Sequence, residues 1–122
     1  MRLAIPVWHE HVSPVFDVAG TLLVIDVENG KERMRRVVPL GPPNEAARAD
    51  LLATLSVDVL VCGVLSRPLE QLVTAGGTQV VSLVSGPVER VAGMMIAGRR
   101  LPPECLMPGH GRPRVRGRSC WH

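Results

Sequence analysis

VDVLVCGVLSRPLEQLVTAGGTQVVSLV, residues 57–84, predicts a strand, a helix and a second strand, and this order indicates an α/β fold. The run 58–62 is apolar after its first residue, which is typical of a strand buried on both faces of a parallel sheet. Ser66-Arg67-Pro68 predicts the first turn of a helix, and Gly76-Gly77 predicts its end. A second apolar run follows at 79–84. Two strands joined through a helix predict a right-handed parallel crossover.

The residues before this unit predict a first strand and then a hairpin. Residues 2–7 form an apolar run suited to a buried strand, and 8–19 are interpreted as a loop. A second strand is predicted at 21–27, ahead of Asn29-Gly30, which is the strongest short signal for a hairpin turn. The partner strand at 32–38 mixes arginines with apolar residues, and this pattern favours the charged edge of a sheet.

Three helices complete the predicted fold. Asn44 is a favourable N-cap for the first helix, and the third helix is predicted at 88–97, ahead of Gly98. The order β-β-β-α-β-α-β-α predicts a three-layer α/β fold. With strands numbered along the chain, its mixed five-stranded sheet has the order 3-2-1-4-5, and the hairpin forms the antiparallel edge.

This strand order places a candidate site where strands 1 and 4 lie side by side. The crevice beyond their C-terminal ends is a topological switch point, where open α/β sheets bind ligands. His9 and His11 come just after strand 1, and Cys62 and Gly63 end strand 4. Two imidazoles and a thiol are therefore predicted to gather at one rim. The alternatives are that the histidines are exposed loop residues and that Cys62 is a small core residue.

The C-terminal segment 99–122 is a second candidate site, rich in arginine, glycine and proline. It carries six arginines and one acid, Glu104, whereas the residues before it are mildly acidic. Metal-ligand side chains lie among these cations, namely Cys105, His110, Cys120 and His122. Their spacing matches no zinc-finger pattern. The segment is expected either to add zinc, copper or iron ligands to the rim, as a lid, or to be a flexible basic arm.

Composition argues against several classes of protein. The only aromatic residues are Trp8, Phe16 and Trp121, so a stacking surface for single-stranded nucleic acid is not expected. No apolar run is long enough to span a membrane, and the N-terminus lacks the pattern of a signal peptide. Three cysteines without a secretory start predict reduced thiols in a cytoplasmic protein.

Three segments carry a resemblance to a known family. MRLAIPV, VSPVFDVAGTLLVIDVENG and VDVLVCGVLSRPLEQLVTAGGTQV together resemble the dinitrogenase iron–molybdenum cofactor biosynthesis family, which includes NifX, NafY and the C-terminal domain of NifB. The resemblance covers residues 1–98 and implies a cofactor-binding domain there, with 99–122 as a separate basic tail. It also implies a ribonuclease-H-like sheet that carries an iron–sulfur or molybdenum–iron–sulfur precursor.

The chain departs from the family pattern at three loops. The turn Ser-Pro-His-Phe-Gly-Arg of family members is Ser13-Pro14-Val15-Phe16-Asp17-Val18, so its histidine is replaced. A glycine pair after strand 4 is Cys62-Gly63, and a histidine-containing loop after strand 3 is Gly41-Pro42-Pro43-Asn44. If the family histidines are ligands, this chain must use others. The substitutes available are His9, His11, Cys62 and the tail.

A ribonuclease-H-like sheet also raises the possibility of a two-metal nuclease, which needs converging carboxylates. Asp17, Asp26 and Asp58 are available. Because Asp26 ends strand 2 and Asp58 begins strand 4, these acids are expected at different ends of the sheet. Walker, Rossmann and nucleophile-elbow motifs do not occur in the sequence. The chain is therefore expected not to be an enzyme.

Two hypotheses of function follow. The first is a non-enzymatic binding or carrier protein for an iron–sulfur or iron–molybdenum–sulfur cluster or a thiometallate, with a donor or acceptor protein of cofactor assembly as its partner. The second is a metal-free interaction module whose basic tail contacts an acidic protein or nucleic acid.

Overall fold

The structure is a computed structural model that describes residues 1–117. Within that range the strands are β1 (Arg2–Trp8), β2 (His11–Val12), β3 (Thr21–Glu28), β4 (Lys31–Pro39), β5 (Val59–Val61), β6 (Gln79–Ser82) and β7 (Arg114–Arg116). The α-helices are α1 (Glu45–Thr54), α2 (Arg67–Ala75) and α3 (Val88–Ile96), and short 3₁₀ turns cover Phe16–Val18 and Pro103–Cys105.

All seven strands belong to one mixed sheet. Its order is β4-β3-β1-β5-β6-β7, and β2 pairs with β1 beside this path. The strands β1, β5 and β6 are parallel, whereas the other pairings are antiparallel. The predicted mixed α/β class with three helices is confirmed. The predicted number of five strands is wrong, because β2 and β7 also pair within the sheet.

The residues predicted to cap a helix and to form a hairpin turn adopt those structures. The side chain of Asn44 accepts a hydrogen bond of 2.8 Å from the backbone N–H of Ala47, which caps α1. The backbone of Asn29 and Gly30 has φ angles of 54° and 73°, as a two-residue type I′ turn requires. These predictions are confirmed.

The sheet separates two hydrophobic cores. On one face, α3 packs residues such as Val91 against Ile5, and we call this the α3 core. On the other face, α1 and α2 pack Leu52 and Leu69 against Leu60, which forms the α1–α2 core. Side chains on the two faces of a strand therefore enter different cores.

Residues 99–117 pack onto the sheet and complete the α3 core. Leu101, Cys105 and Leu106 are all buried there. β7 then adds an antiparallel strand beside β6. The expectation of a flexible arm is wrong for this part of the segment, because buried apolar side chains and strand pairing anchor it.

The strand β4 forms one edge of the sheet in the described part of the chain, and its side chains are largely exposed. Four basic residues lie on it: Lys31, Arg33, Arg35 and Arg36. The guanidinium of Arg35 bonds Glu32 at 2.6 Å and Glu89 of α3 at 2.7 Å. The prediction that this strand is a charged edge is confirmed.

Among residues 1–117, every helix is too short or too polar to cross a lipid bilayer.

Candidate functional site

The loops after the C-terminal ends of β1, β5 and β6 lie together, and we call them the rim: residues 9–10, 62–66 and 83–87. Backbone hydrogen bonds join the first and last of these loops. Val12 N–H donates to the carbonyl of Gly86, and Val88 N–H donates to that of Glu10, both at 2.9 Å. The turn that carries the histidines is therefore fixed against the start of α3.

The backbone of the rim is strained at three positions. His9 and Glu10 form the two-residue turn between β1 and β2 with φ angles of 49° and 64°, although such turns favour asparagine and glycine. Leu83, just after β6, has a φ of 67°. A left-handed conformation costs a branched residue of order 1–3 kcal/mol, and such strain is typical of functional sites.

The imidazole of His9, on this turn, and that of His11, the first residue of β2, are both exposed. The Nδ1 atom of His11 lies 3.0 Å from the carbonyl oxygen of His9. Because a carbonyl oxygen only accepts, Nδ1 must carry the hydrogen, and a neutral ring then has its free lone pair on Nε2. Metal-binding histidines are commonly oriented in this way by a hydrogen bond from the other ring nitrogen. The Trp8 ring packs edge-on against His9, with centroids 4.3 Å apart.

Cys62 lies at the same end of the sheet, but its thiol is fully buried in the α1–α2 core. Burial raises the pKa of this thiol well above its usual range, and the nearby carboxylates of Glu70 and Asp17 raise it further. A thiol with a raised pKa remains protonated, whereas a metal ligand must be a thiolate. The structure does not bring Cys62 together with the exposed imidazoles.

Gly63 follows Cys62 and allows two backbone segments to approach closely. A Cβ atom at this position would lie 2.5 Å from the carbonyl oxygen of Pro14 and 2.9 Å from that of Ser13. The neighbouring N–H of Val64 donates to the Pro14 carbonyl at 2.8 Å. Gly63 therefore holds the 13–16 loop against the rim through packing.

Of the four metal-ligand residues predicted in 99–122, the structure describes Cys105 and His110. Cys105 is buried in the α3 core, so the sheet separates its thiol from that of Cys62. His110 is exposed on a turn after this core. Cys120 and His122 lie outside the described residues. Within residues 1–117, no three side chains of His, Cys, Asp or Glu are placed to hold a metal ion together.

The C-terminal segment touches the rim and then leaves it. Ser85 N–H donates to the carbonyl of Cys105 at 2.9 Å, so the backbone around Cys105 borders the rim. β7 then runs antiparallel to β6, away from this end of the sheet. A Cβ atom on Gly117 would lie 3.1 Å from the Cα atom of Gln79, the first residue of β6. The described chain therefore ends at the opposite end of the sheet from the imidazoles.

Two of the acidic residues lie at the same end of the sheet, contrary to expectation. Arg2 Nε donates to Asp26 at 2.6 Å, and the backbone N–H of Arg2 donates to Asp58 at 2.7 Å. The prediction was wrong because β3 is antiparallel to β1 and β5, so the end of β3 meets the start of β5. The hydrogen bond from Arg2 lowers the pKa of Asp26. Asp17 is at the rim, where it accepts from Ser66 N–H at 2.7 Å.

A groove between α2 and β7 was not predicted from the sequence. It is lined by Arg67, Glu70, Arg114 and Arg116. The signal that was available is the alternation in Arg114-Val115-Arg116, which is typical of a strand with one charged face. Surrounding glycines and prolines favoured an irregular segment instead.

We expect Cys62 and Cys105 to resist alkylation in the folded protein. Burial raises the pKa of both thiols, and each unit of increase lowers the thiolate fraction about tenfold. With iodoacetamide at pH 8, mass spectrometry should find both residues modified roughly tenfold or more slowly than in urea-unfolded protein. Equal rates in the two states would show that these thiols are accessible.

Three comparisons place the chain among known proteins. The family model "Dinitrogenase iron-molybdenum cofactor" matches residues 1–98. No curated protein matches the chain significantly. The crystal structure of PH0822 is 20% identical, with 81% of this chain and 93% of that chain covered, at a TM-score of 0.76.

Two further structures share the fold. The apo form of the orange protein from Desulfovibrio gigas is 20% identical, with 93% of this chain and 95% of that chain covered and a TM-score of 0.67. A Thermotoga protein assigned to NifB is 23% identical, with 80% and 89% covered and a TM-score of 0.63. These identities show a common fold, and the family match extends over most of the sequence. The chain therefore belongs to the dinitrogenase iron–molybdenum cofactor family.

Proposed function

We propose that the protein is a non-enzymatic carrier for an iron–sulfur or iron–molybdenum–sulfur cluster or its thiometallate precursor. Its family is related to nitrogenase cofactor biosynthesis, which supports a cargo of this class. The cargo would bind at the rim through His9 and His11, on a sheet of the ribonuclease-H-like type. A protein of cofactor assembly in the cytoplasm would donate or accept it.

The observation that carries this proposal is the orientation of the His11 ring. Its Nδ1 atom lies 3.0 Å from the His9 carbonyl oxygen, and in a neutral ring with this hydrogen bond the free lone pair is on Nε2. His9 is exposed on the adjacent strained turn, so both imidazoles can approach one cluster from the same hairpin. Iron, copper and zinc all accept imidazole ligands.

A ligand set of two imidazoles also suits transfer of the cargo. Two protein ligands leave most metal positions of a cluster to sulfide or to groups from a second protein. Such a cluster can be passed on without unfolding its carrier, in contrast to a closed structural site. Cys62 and Cys105 are buried thiols in different cores and do not contribute to this set.

The acidic residues support a non-enzymatic role. Asp26 and Asp58 both bond Arg2 at the far end of the sheet, where its guanidinium offsets their charge. Asp17 is engaged at the start of α2. A two-metal hydrolase requires carboxylates that converge on shared metal ions.

We expect the double variant H9A/H11A to lose cluster binding. The protein would be purified anaerobically and reconstituted with ferrous iron and sulfide, with and without molybdate. Bound metal would then be measured by elemental analysis and by the charge-transfer bands of the visible spectrum. Since the variant removes both proposed ligands, bound metal should fall about tenfold or more relative to wild type. The matched control is H110A, which removes an exposed histidine outside the β1–β2 turn and should retain the metal.

Two outcomes would contradict this function. Wild-type protein that remains colourless and metal-free after reconstitution would rule out a cluster carrier. Equal metal content in H9A/H11A and wild type would place the cargo elsewhere on the protein. In the first case, the metal-free interaction module becomes the better account, and salt-dependent binding to an acidic protein or nucleic acid would support it.

A further inference from the structure

The groove between α2 and β7, which we call the arginine groove, has the features of an anion site. Two cavities of about 310 and 380 Å³ lie along it, and Arg67, Glu70 and Arg114 line both of them. Arg114 lies opposite Ser82 in the sheet and Arg116 lies opposite Val80. Because Val80 belongs to the α1–α2 core, both arginines of β7 project from the sheet face that α2 covers.

The arginine groove is lined by more positive than negative side chains. The single carboxylate, Glu70, is buried and accepts a hydrogen bond of 3.1 Å from Arg114 Nη2. Neither Arg67 nor Arg116 forms an ion pair with any residue in the described range 1–117. Three guanidinium groups therefore line a groove that holds one carboxylate, and this excess of positive charge favours a bound anion.

The guanidinium of Arg114 also has a donor without an acceptor. Its Nε atom is buried and has no hydrogen-bond partner among the described residues. A buried donor without a partner is destabilising unless some group supplies an acceptor. Because this Nε atom has almost no exposed surface, an ion in the groove would meet Arg114 through its Nη atoms and would reach Nε only if the side chain turned away from Glu70.

The other polar side chains of the groove can donate hydrogen bonds as well. Ser82 is buried at the end of β6 and lines the smaller cavity, while Gln71 lines the larger one. The hydroxyl of Thr74 also lines the larger cavity, but it already donates to the carbonyl of Glu70 at 2.9 Å. A guanidinium binds two oxygens of one anion through parallel N–H groups, and this geometry fits an edge of a tetrahedral oxoanion. Both cavities are large enough for such an ion.

We propose that the arginine groove binds a small tetrahedral oxoanion of the molybdate, sulfate or phosphate type. The smaller cavity borders the rim, since Val64, Leu65 and Leu83 line it, but His9 and His11 line neither cavity and lie on the hairpin bonded to residues 86–88. Part of it comes from β7, outside the family-matched residues 1–98. The proposal goes beyond the carrier function and does not depend on His9 or His11.

Titration calorimetry tests the proposal on the whole chain at low ionic strength. Molybdate, sulfate and phosphate would each be titrated into the protein, with chloride as the monovalent control. We expect one oxoanion to bind per chain, and the order of the three affinities identifies the physiological source. R114Q and R67Q should each weaken this binding about tenfold, since a charged hydrogen bond contributes on that scale.

Two further variants distinguish binding in the arginine groove from non-specific attraction of anions by the protein's positive charge. E70Q removes the competing carboxylate and should strengthen binding several-fold, because the arginines are then free for the ligand. R33Q removes an exposed arginine from β4, at the other edge of the sheet, and should bind as wild type does. Circular dichroism and thermal melting would establish that each variant is folded. R67Q lies on α2, so it tests the site even if R114Q disturbs β7.

The proposal is wrong if no oxoanion binds, or if R33Q weakens binding as much as R67Q does. It is also wrong if E70Q weakens binding while the variant remains folded. The H9A/H11A variant separates this site from the carrier function, because it should bind the oxoanion normally. Loss of cluster binding alone in that variant supports two sites, and loss of both activities would overturn their independence.

Discussion

Replacing Gly63 by alanine is expected to lower the free energy of unfolding by about 2–3 kcal/mol, because the added methyl group has no space. Its carbon would lie 2.5 Å from the carbonyl oxygen of Pro14 and 2.9 Å from that of Ser13. Both contacts are with backbone, so no side chain can rotate away. Relief requires the 13–16 loop to move, which breaks the 2.8 Å hydrogen bond from Val64 N–H to Pro14.

The matched control is Gly93→Ala in α3. A Cβ atom at Gly93 meets no heavy atom within 4 Å, and alanine is favoured over glycine inside a helix. This substitution should therefore raise stability by about 0.5–1 kcal/mol. Urea denaturation followed by circular dichroism measures both variants. If Gly63→Ala were as stable as wild type, the close approach of the two backbones would be wrong.

Replacing Arg48 by methionine is expected to lower the free energy of unfolding by about 3–5 kcal/mol. Arg48 is almost fully buried, at 1% exposure, and lies on α1. Its guanidinium donates to the carbonyls of Phe16 at 3.0 Å, Ala19 at 2.6 Å and Gly41 at 3.2 Å. Methionine fills a similar volume, so the loss comes mainly from three carbonyl oxygens left without this donor.

The same arginine connects the body of the fold to the rim. It holds the turn at Phe16, and the N–H of Phe16 in turn donates to the rim residue Val64 at 2.9 Å. The control is Arg36→Met on the exposed strand β4, which should change stability by less than about 0.5 kcal/mol. Thermal and urea unfolding measure both variants. Equal effects at the two positions would refute a structural role for the buried guanidinium.

Elements with a strong local signal were predictable from the sequence. Asn44 and Asn29-Gly30 specify a helix start and a tight turn through their own backbone chemistry, so no distant contact is needed. The stretch 57–84 combines apolar strands with a clear helix start at Ser66. Because local propensity and tertiary packing favour the same structure in this stretch, its strand–helix–strand order could be predicted.

Pairings between distant residues were not predictable in the same way. β7 has three residues, and it exists because it pairs with β6, about thirty residues earlier in the chain. Cys105 is buried because neighbouring leucines complete the α3 core, which the surrounding prolines and glycines conceal. Asp26 and Asp58 were predicted at opposite ends of the sheet. They lie at the same end because β3 is antiparallel to β1 and β5 is parallel to it, so the end of β3 lies near the start of β5.

Part of the candidate site could be predicted from the sequence. Topology alone places His9 and His11 after β1, and they are exposed on the rim. Cys62 directly follows β5, and its side chain could point to either face of the sheet. A strand that is apolar on both faces does not indicate which face the next side chain takes. The role of these residues as ligands remains a prediction, for which the metal-binding experiment is decisive.

The exposed edge of β4 is also a surface at which copies of this protein could pair. Its nine residues carry backbone groups that an edge strand from a second copy could pair with, which is a route to aggregation. Arg33 and Arg35 are paired with acids, but Lys31 and Arg36 would repel the same cations of the second copy. That repulsion weakens as salt screens it. Pairing between two β4 edges is therefore expected to become more favourable as ionic strength rises.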